Sequence, residues 1–466
     1  MNIKYMKSPV IILFILLAQF SFSQETTLTN DYKKDVIKKL TTLINDFYIY
    51  PDIAQKTSEH LNKEYQSGYF DSYKDHQTFA NALTEAVQSI NNDKHMRIMA
   101  NKSYKAPENS LERKAEQRMD QINNYRNFNH GFKEVKLLEG NVAYLDLRGF
   151  AGMDRAKEIA DAFMKLMSQA DAVIIDLTKN GGGDPSMVQY LCSYFFKQKL
   201  HLNSLYYREG NRTEEYWTLE EVGGKKMDNV PLFVMISERT FSGAEEFSYN
   251  MQTQKRATLI GQTSDGGANP GGTREINKDL AVFIPTGRAI NPITNTSWEG
   301  TGVIPDIKTT KDKTFEQAYT LAEEAAETQR KNKTENYIQL HKELNKHLDE
   351  YRKEESEINI NKSISNFVDA GLFGEWDINT LGYEYLLNLN KPKIALCILK
   401  SNTILFRNSP NVFDSYGEAL KMNGDLNASL ESYQKALDIA IKNNDQNLDY
   451  YKEALQNIKD EIERGK

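Results

Sequence analysis

A serine stands at the junction between two predicted elements, in the segment "ERTFSGAEEF". The preceding run "PLFVMI" is typical of a buried strand, and "GAEEFSYNM" has the apolar spacing of a helix. Ser242 at such a junction is most often a helix N-cap. The same place also suits a nucleophile, because free N–H groups at a helix N-terminus stabilise a developing negative charge. Position alone leaves both roles open.

Acyl transfer at a serine also needs a base, a group that orients the base, and N–H donors for the oxyanion. Among seven histidines, His95 differs because it follows a predicted helix end in "NNDKHMRIM" and begins an alternating stretch. Glu299 lies in the Gly-rich segment "SWEGTGVIPDI", and the glycines of "DLTKNGGGD" allow a backbone to approach a ligand. Each feature also has an ordinary explanation: an exposed histidine, a solvated glutamate and a tight turn.

The composition is that of a large globular protein. The 466 residues exceed one simple domain, and a hydrophobic content of 39% can form a sizeable core. A formal net charge of -7 argues against a nucleic-acid partner, which would require a basic face. Cys192 and Cys397 lie far apart in apolar helical contexts. This predicts buried free thiols rather than a disulfide.

The N-terminus has the pattern of an export signal. Lys4 and Lys7 precede an apolar run that is too short to span a bilayer. Ser21 and Ser23 are small residues at the positions that a signal peptidase requires. We therefore predict a signal peptide over residues 1–23. No second segment is apolar enough for a membrane anchor, so the mature chain is expected to be periplasmic or secreted.

The remaining chain divides into regions of different hydrophobic periodicity. Residues 24–100 are predicted to form an N-terminal helical domain, and residues 101–130 a polar linker. Strands alternate with helices over residues 131–325, which indicates an α/β core. Residues 326–360 are predicted as a charged helical connector. Residues 361–466 contain two similar segments spaced by about 34 residues, as in tetratricopeptide helix pairs, although an unrelated helical bundle is the alternative.

Six segments, taken together and in order, resemble the tail-specific (carboxy-terminal-processing) serine peptidase family. They are "NNDKHMRI", "GNVAYLDLRGF", "DAVIIDLTKNGGGD", "TFSGAEEF", "GQTSDGGANPGGT" and "EGTGVIPDI". The similarity spans about residues 30–325 and is greatest to the branch of the tricorn core and interphotoreceptor retinol-binding protein. The resemblance implies an α/β fold with a ClpP/crotonase-like ββα superhelix core, between an N-terminal helical domain and a C-terminal α-helical, tetratricopeptide-like domain.

The resemblance also implies a role for each candidate side chain. Ser242 matches the nucleophile, His95 the general base, and Glu299 the carboxylate that supports the base. Many family members use a lysine as base, 25 residues after the serine, but this chain has Gly267 there. Because glycine cannot accept a proton, we expect His95 to be the base. A pKa near the ordinary histidine value would suit operation at neutral pH.

The oxyanion donors that the resemblance implies are backbone amides. The N–H of Gly243 matches one donor, and Gly182 or Gly183 supplies the other. Two neighbouring positions depart from the family pattern. Thr178 replaces a usual arginine, and Lys94 stands where the tricorn enzyme has a serine that helps to hold the carboxylate. Lys94 is expected either to pair with that carboxylate or to face solvent.

The leading prediction is an exported serine endopeptidase that cleaves a peptide or protein substrate through an acyl-enzyme, with no metal or other cofactor. The main alternative is a hydrophobic-ligand binding protein, because retinol-binding relatives use the same fold to carry ligands. That alternative predicts a large apolar cavity and no acyl-enzyme. In a third interpretation, the tetratricopeptide-like region is primary and the chain is a scaffold that binds a protein partner.

Overall fold

The computed structural model describes residues 28–100, 111–352 and 354–465. The predicted signal peptide over residues 1–23 lies outside the described residues. The chain divides into two compact units, residues 1–326 and residues 327–466. The finer domain boundaries drawn from the sequence stay predictions. Among the described residues, no helix has both the length and the apolar character that crossing a bilayer demands.

The helices begin and end as follows: α1 (Asn30–Phe47), α2 (Pro51–Gln66), α3 (His76–Asn91), α4 (Leu111–Asn127), α5 (Met153–Met167), α6 (Pro185–Ser193), α7 (Gly243–Thr253), α8 (Thr314–Asp349), α9 (Glu354–Asp369), α10 (Glu375–Tyr383), α11 (Pro392–Leu405), α12 (Pro410–Met422), α13 (Leu426–Asn443) and α14 (Leu448–Arg464). The strands are β1 (Ile98–Ala100), β2 (Phe132–Leu138), β3 (Val142–Leu147), β4 (Ala172–Asp176), β5 (His201–Tyr207), β6 (Arg212–Trp217), β7 (Leu232–Ile236), β8 (Thr258–Gly261), β9 (Gly271–Glu275), β10 (Leu280–Pro285), β11 (Gly287–Ile290) and β12 (Ile307–Lys308).

The N-terminal region is helical, as predicted. Apolar side chains recur at helical spacing in α1, and Val36, Leu40 and Ile44 are buried against α2 and α3. Asp75 begins α3, because its carboxylate accepts the backbone N–H groups of Gln77 and Thr78. The polar segment that was predicted as a linker contains α4.

A six-stranded mixed sheet forms the centre of the first unit, in the order β12-β8-β7-β4-β3-β2. Its neighbouring strands are parallel, except for the antiparallel hairpin of β2 and β3. Helices α5, α6 and α7 cover one face, and Ala318, Ala322 and Ala326 of α8 pack on the other. Burial on both faces explains the continuous apolar runs of β4 and β7. The predicted α/β class of this core is confirmed.

Two three-stranded sheets complete the first unit, in the orders β1-β10-β9 and β11-β5-β6. Strand β1 pairs antiparallel with β10, with Ile98 opposite Val282. This pairing fixes the segment before β1, which contains His95, against the α/β core. The N-terminal region therefore contributes directly to the surroundings of Ser242.

The second unit is helical and contains a repeated contact. Gly382 of α10 lies against Leu399 of α11, and Gly417 of α12 lies against Tyr433 of α13. The glycine lets the two helices of each pair approach closely in both places. This recurrence is compatible with tetratricopeptide-like helix pairs. Cys192 lies in the first unit and Cys397 in the second, and both are free and buried, as predicted.

Candidate active site

The backbone of Ser242 differs from that of an ordinary helix cap. Ser242 precedes α7 with φ 54° and ψ -121°, whereas N-cap residues usually have extended backbone. A positive φ is uncommon for a residue with a side chain, and such strain concentrates at functional sites. The N–H of Phe241 donates to the carbonyl of Asn180 at 3.1 Å, which helps to hold the turn. This conformation favours the nucleophile interpretation of Ser242.

Glu245 holds the turn from the other side. Its buried carboxylate accepts the backbone N–H groups of Ser242 at 2.8 Å, Gly266 at 2.6 Å and Gly267 at 2.9 Å. It also accepts the Ser264 hydroxyl. Burial raises the pKa of Glu245 to about 7, and these hydrogen bonds oppose the rise. Glu245 was not predicted from the sequence, although a glutamate three positions after a serine is the capping-box spacing.

The glycine loop lies in direct contact with Ser242. A Cβ added to Gly182 would lie 2.8 Å from Cβ of Ser242 and 2.7 Å from the backbone nitrogen of Gly243. A Cβ on Gly183 would lie 2.0 Å from the carbonyl oxygen of Phe150. Both glycines also have positive φ, at 99° and 147°. A plain tight turn would not require this close approach, which only glycine permits.

The two candidate oxyanion donors of this loop differ in their partners. The N–H of Gly182 donates to Oδ1 of Asn180 at 2.8 Å, so it is already occupied. The backbone nitrogen of Gly183 lies 3.0 Å from where a Cβ of Gly243 would be. Within the part of the chain that the structure describes, neither the Gly183 nor the Gly243 N–H has a hydrogen-bond partner. These two amides are adjacent and free to bind an oxyanion.

His95 is enclosed rather than exposed. Its side chain is 11% exposed, and its ring centroid lies 4.4 Å from that of Phe241 and 5.8 Å from that of Phe283. Burial lowers the pKa of His95 to about 4, and the charge of Arg97 adds to this. The expectation of an ordinary pKa is therefore wrong, because the surrounding rings exclude the water that would solvate an imidazolium. The neutral imidazole is the form that can accept a proton.

Gly267 is a glycine because His95 and Phe241 occupy its side-chain space. A Cβ at this position would lie 2.2 Å and 2.4 Å from two ring carbons of Phe241 and 2.7 Å from Cε1 of His95. The position at which many relatives carry the basic lysine therefore contacts the imidazole in this chain. A lysine at position 267 would therefore clash with His95 in its observed position.

Glu299 and Asp93 form a partly buried carboxyl pair. Oε2 of Glu299 accepts the N–H groups of Ala268 at 2.5 Å and Asn269 at 3.1 Å. Oδ2 of Asp93 accepts Nδ2 of Asn269 at 2.9 Å and the Tyr48 hydroxyl at 3.3 Å. Burial raises the pKa of both carboxyls, and the charge of Asp93 raises that of Glu299 further. Glu299 is thus held in place rather than solvated.

The structure brings this pair to His95. One ligand-type atom each of Asp93, His95 and Glu299 lies within 4.8 Å of the others. Oδ1 of Asp93 accepts the His95 backbone N–H at 3.0 Å and lies 4.0 Å from Nδ1 of the ring. Among the described residues, His95 Nδ1 and Glu299 Oε1 are buried without a hydrogen-bond partner. Asp93 was not predicted from the sequence, and its one signal was its place two residues before the histidine. The same residue types also occur in zinc sites.

The two departures from the family pattern have local partners. Nζ of Lys94 donates to the Asp265 carbonyl at 2.6 Å and to its carboxylate at 2.5 Å. Lys94 therefore pairs with Asp265 rather than with Glu299, because the loop before Gly266 places this aspartate nearer. Its side chain is also exposed, as the second expectation had it. The Thr178 hydroxyl donates to Asp176 at 2.6 Å, at the end of β4.

The candidate residues open into a common pocket of about 440 Å³. Ser242, Gly243, Gly183 and His95 all line it. A substrate carbonyl placed here would meet a hydroxyl, a neutral imidazole and two free backbone amides. This is the set of groups that acyl transfer through a serine requires.

Comparisons with known proteins find similarity along most of the first unit. Residues 141–309 match the family described as peptidase family S41, and residues 27–130 match the N-terminal domain of peptidase S41 in eukaryotic IRBP. A putative peptidase from Parabacteroides merdae is 15% identical, over 62% of this chain and 96% of that chain, with a TM-score of 0.45. The tricorn protease is 13% identical, over 64% of this chain and 37% of that chain, with a TM-score of 0.42. The photosystem II D1 C-terminal processing protease is 12% identical, over 60% of this chain and 93% of that chain, with a TM-score of 0.39.

Proposed function

Because this chain belongs to peptidase family S41 and is a serine-type peptidase, we propose that it is an exported endopeptidase with a Ser242–His95–Glu299 site. Its substrate is a peptide or a protein. The observation that carries the proposal is the single pocket into which the serine, the histidine and two free amides open. The signal-peptide pattern of the first 23 residues supports export.

In the proposed mechanism, Oγ of Ser242 attacks the scissile carbonyl while neutral His95 takes its proton. The backbone N–H groups of Gly243 and Gly183 stabilise the oxyanion of the tetrahedral intermediate. His95 then gives its proton to the leaving amine, and the acyl-enzyme forms. A water molecule, deprotonated by His95, then attacks the acyl-enzyme. His95 returns the proton to Oγ of Ser242 as the ester bond breaks, which frees the serine and the second product. The low pKa of His95 makes its protonated form a strong acid for the leaving amine.

The carboxyl pair supports the imidazolium that forms during the reaction. Nδ1 of His95 faces Asp93, and Glu299 lies within the same cluster. When His95 becomes positive, its charge favours ionisation of the neighbouring carboxyl groups, whose pKa values are raised in the resting site. Glu299 therefore acts as the supporting carboxylate together with Asp93, which was absent from the prediction.

The C-terminal unit is proposed to bind a protein partner. Its repeated helix pairs are compatible with the tetratricopeptide-like arrangement, and stacked pairs of this kind form extended binding surfaces. Such a partner would bring substrate to the peptidase or anchor the peptidase at its place of action.

Labelling with a fluorophosphonate tests the proposed site. The purified mature protein should be labelled, and Ser242→Ala and His95→Ala should each lose labelling and several orders of magnitude in turnover. Ser67→Ala and His60→Ala are matched controls in and after α2 and should behave like the parent. A folded parent that resists the reagent and binds retinoid instead would support the ligand-carrier alternative.

A further inference from the structure

A buried carboxyl group in the wall of the Ser242 pocket is not used by the proposed mechanism. Glu246 lines this pocket and is 5% exposed. It lies in α7 four residues after the nucleophile, and its N–H donates to the Ser242 carbonyl at 2.9 Å. Four residues of helix advance the chain by about 6 Å. Glu246 thus lies about one helical turn after Ser242 along the backbone.

Glu246 has no cation to balance it. The charged neighbour that affects it is Asp184, another carboxylate, and within the described chain no lysine or arginine forms an ion pair with it. Burial raises the pKa of Glu246 to about 7. A carboxyl group enclosed in this way is costly unless a partner arrives. The pocket therefore favours a ligand that carries a positive charge.

A buried amide is the polar neighbour of Glu246 inside the protein. Asn203 is 0% exposed, and its side chain interacts with the Glu246 carboxyl group. An amide carries no charge, so it leaves the carboxyl group without a cationic partner.

Part of the pocket wall is apolar. Leu205 and Tyr207 of β5 line it together with Phe241. An apolar wall that ends at a carboxyl group matches a lysine or arginine side chain, whose stem packs on apolar surface while its charge reaches a polar partner.

We propose that Glu246 makes this pocket selective for a lysine or arginine on the N-terminal side of the scissile bond. This inference rests on the proposed peptidase function. The stem of the basic side chain packs on Leu205 and Tyr207, and its charge pairs with the Glu246 carboxylate. An apolar side chain would leave the Glu246 carboxyl group without a cationic partner, and an acidic one would meet a like charge.

The experiment uses fluorogenic peptides that differ only at the residue before the cut, which is lysine, arginine, methionine or glutamate. We expect the parent to prefer lysine and arginine over methionine by at least tenfold in kcat/KM, with glutamate poorest. Glu246→Gln should reduce this ratio at least tenfold. Glu238→Gln removes the same charge from an exposed residue four positions before the nucleophile, and should leave the ratio unchanged.

A second measurement needs no variant: cleavage sites of the parent on a denatured protein, mapped by mass spectrometry, should follow lysine or arginine. A parent that cleaves the methionine peptide as well as the lysine peptide overturns the inference, as does a ratio that survives in Glu246→Gln. Fluorophosphonate labelling distinguishes a failure of the selectivity proposal from a failure of the proposed peptidase site. A labelled Ser242 without basic preference refutes the selectivity alone, whereas an unlabelled Ser242 refutes the proposed peptidase site and the selectivity with it.

Discussion

Gly267 illustrates how a single residue decides which base the site can use. Its missing side chain leaves room for the rings of Phe241 and His95, which lie where a Cβ would project. His95 can therefore occupy its observed position only because position 267 has no side chain. A lysine at position 267 would take the space that the imidazole fills.

Restoring the lysine should therefore damage the site. We expect Gly267→Lys to lower kcat/KM at least a hundredfold and the free energy of unfolding by about 1–3 kcal/mol, because overpacking displaces the imidazole. Gly272→Ala is the control, since a Cβ there meets no atom within 4 Å. Turnover and thermal unfolding measure both effects. Parental turnover by Gly267→Lys combined with His95→Ala would contradict this packing argument.

The pKa of His95 sets the acid limit of activity. Burial and Arg97 lower this pKa to about 4, so the imidazole stays neutral and able to accept a proton until the pH falls to that region. With an uncharged substrate, the acid limb of the kcat/KM profile should lie near pH 4 rather than near pH 6.5. Arg97→Gln should move the limb to higher pH. A limb near 6.5 in the parent would mean that the imidazole is solvated in solution.

At the scale of elements, the junction of β7 and α7 depends on Glu245. The Glu245 carboxylate accepts hydrogen bonds from the N–H of Ser242 and from the loop of residues 264–267, and so links α7 to this loop. This contact keeps Ser242 in its strained conformation, so stability and reactivity are coupled through one side chain.

Removing the Glu245 carboxylate should lower both the stability of the protein and the reactivity of Ser242. Glu245→Ala leaves several buried donors without a partner, which we expect to cost about 2–4 kcal/mol in the free energy of unfolding. Fluorophosphonate labelling of Ser242 should slow in parallel. Chemical denaturation and labelling rates measure the two effects, with Glu238→Ala as the exposed control. Labelling at the parental rate would show that the strained turn persists without Glu245.

Helix α7 also makes stability depend on pH through Glu246. Its pKa is raised from 4.5 to about 7 in the folded state, so folding favours the protonated carboxyl. This contribution is fully present below pH 4.5 and is lost as the pH rises through 7, by up to about 3 kcal/mol. Glu246→Gln should therefore flatten the pH dependence of the free energy of unfolding over this range. Equal slopes for parent and variant would refute the assignment.

The elements and the position of the candidate serine between β7 and α7 were predictable because their signals are local. The run before Ser242, the apolar spacing of α7 and the three glycines after β4 all depend on neighbouring residues, and the family motifs give their order. Asp93, Glu245 and Glu246 were not predicted, because their importance comes from burial among residues that are distant in sequence. The lowered pKa of His95 has the same origin, since it depends on rings from β10 and from the turn before α7.

At the scale of the whole molecule, the site belongs to the first of the two compact units. Every candidate residue lies before residue 326, and the alanines of α8 that pack on the main sheet end at Ala326. The apolar residues later in α8, such as Leu344 and Leu348, pack within the second unit. Chemistry and partner binding are therefore expected to be separable.

A chain that ends at Thr334 tests this separation. It keeps the packed part of α8 and removes the residues of α8 whose partners lie in the second unit. Turnover of a short peptide should stay within about twofold of the parent, since the site keeps all its contacts, while protein partners bound by the full chain are lost. A truncated protein that is folded but inactive would instead assign the second unit a direct part in catalysis.

The pairing of β1 with β10 has a consequence for biosynthesis. The segment with the base is made early, yet it is fixed only when a strand far downstream, with Val282 opposite Ile98, has emerged. Contacts this distant along the chain form late in folding. A growing polypeptide therefore carries Ser242 and His95 before β1 can pair with β10. We expect such an unfinished chain to lack peptidase activity, because the candidate residues are not yet held together.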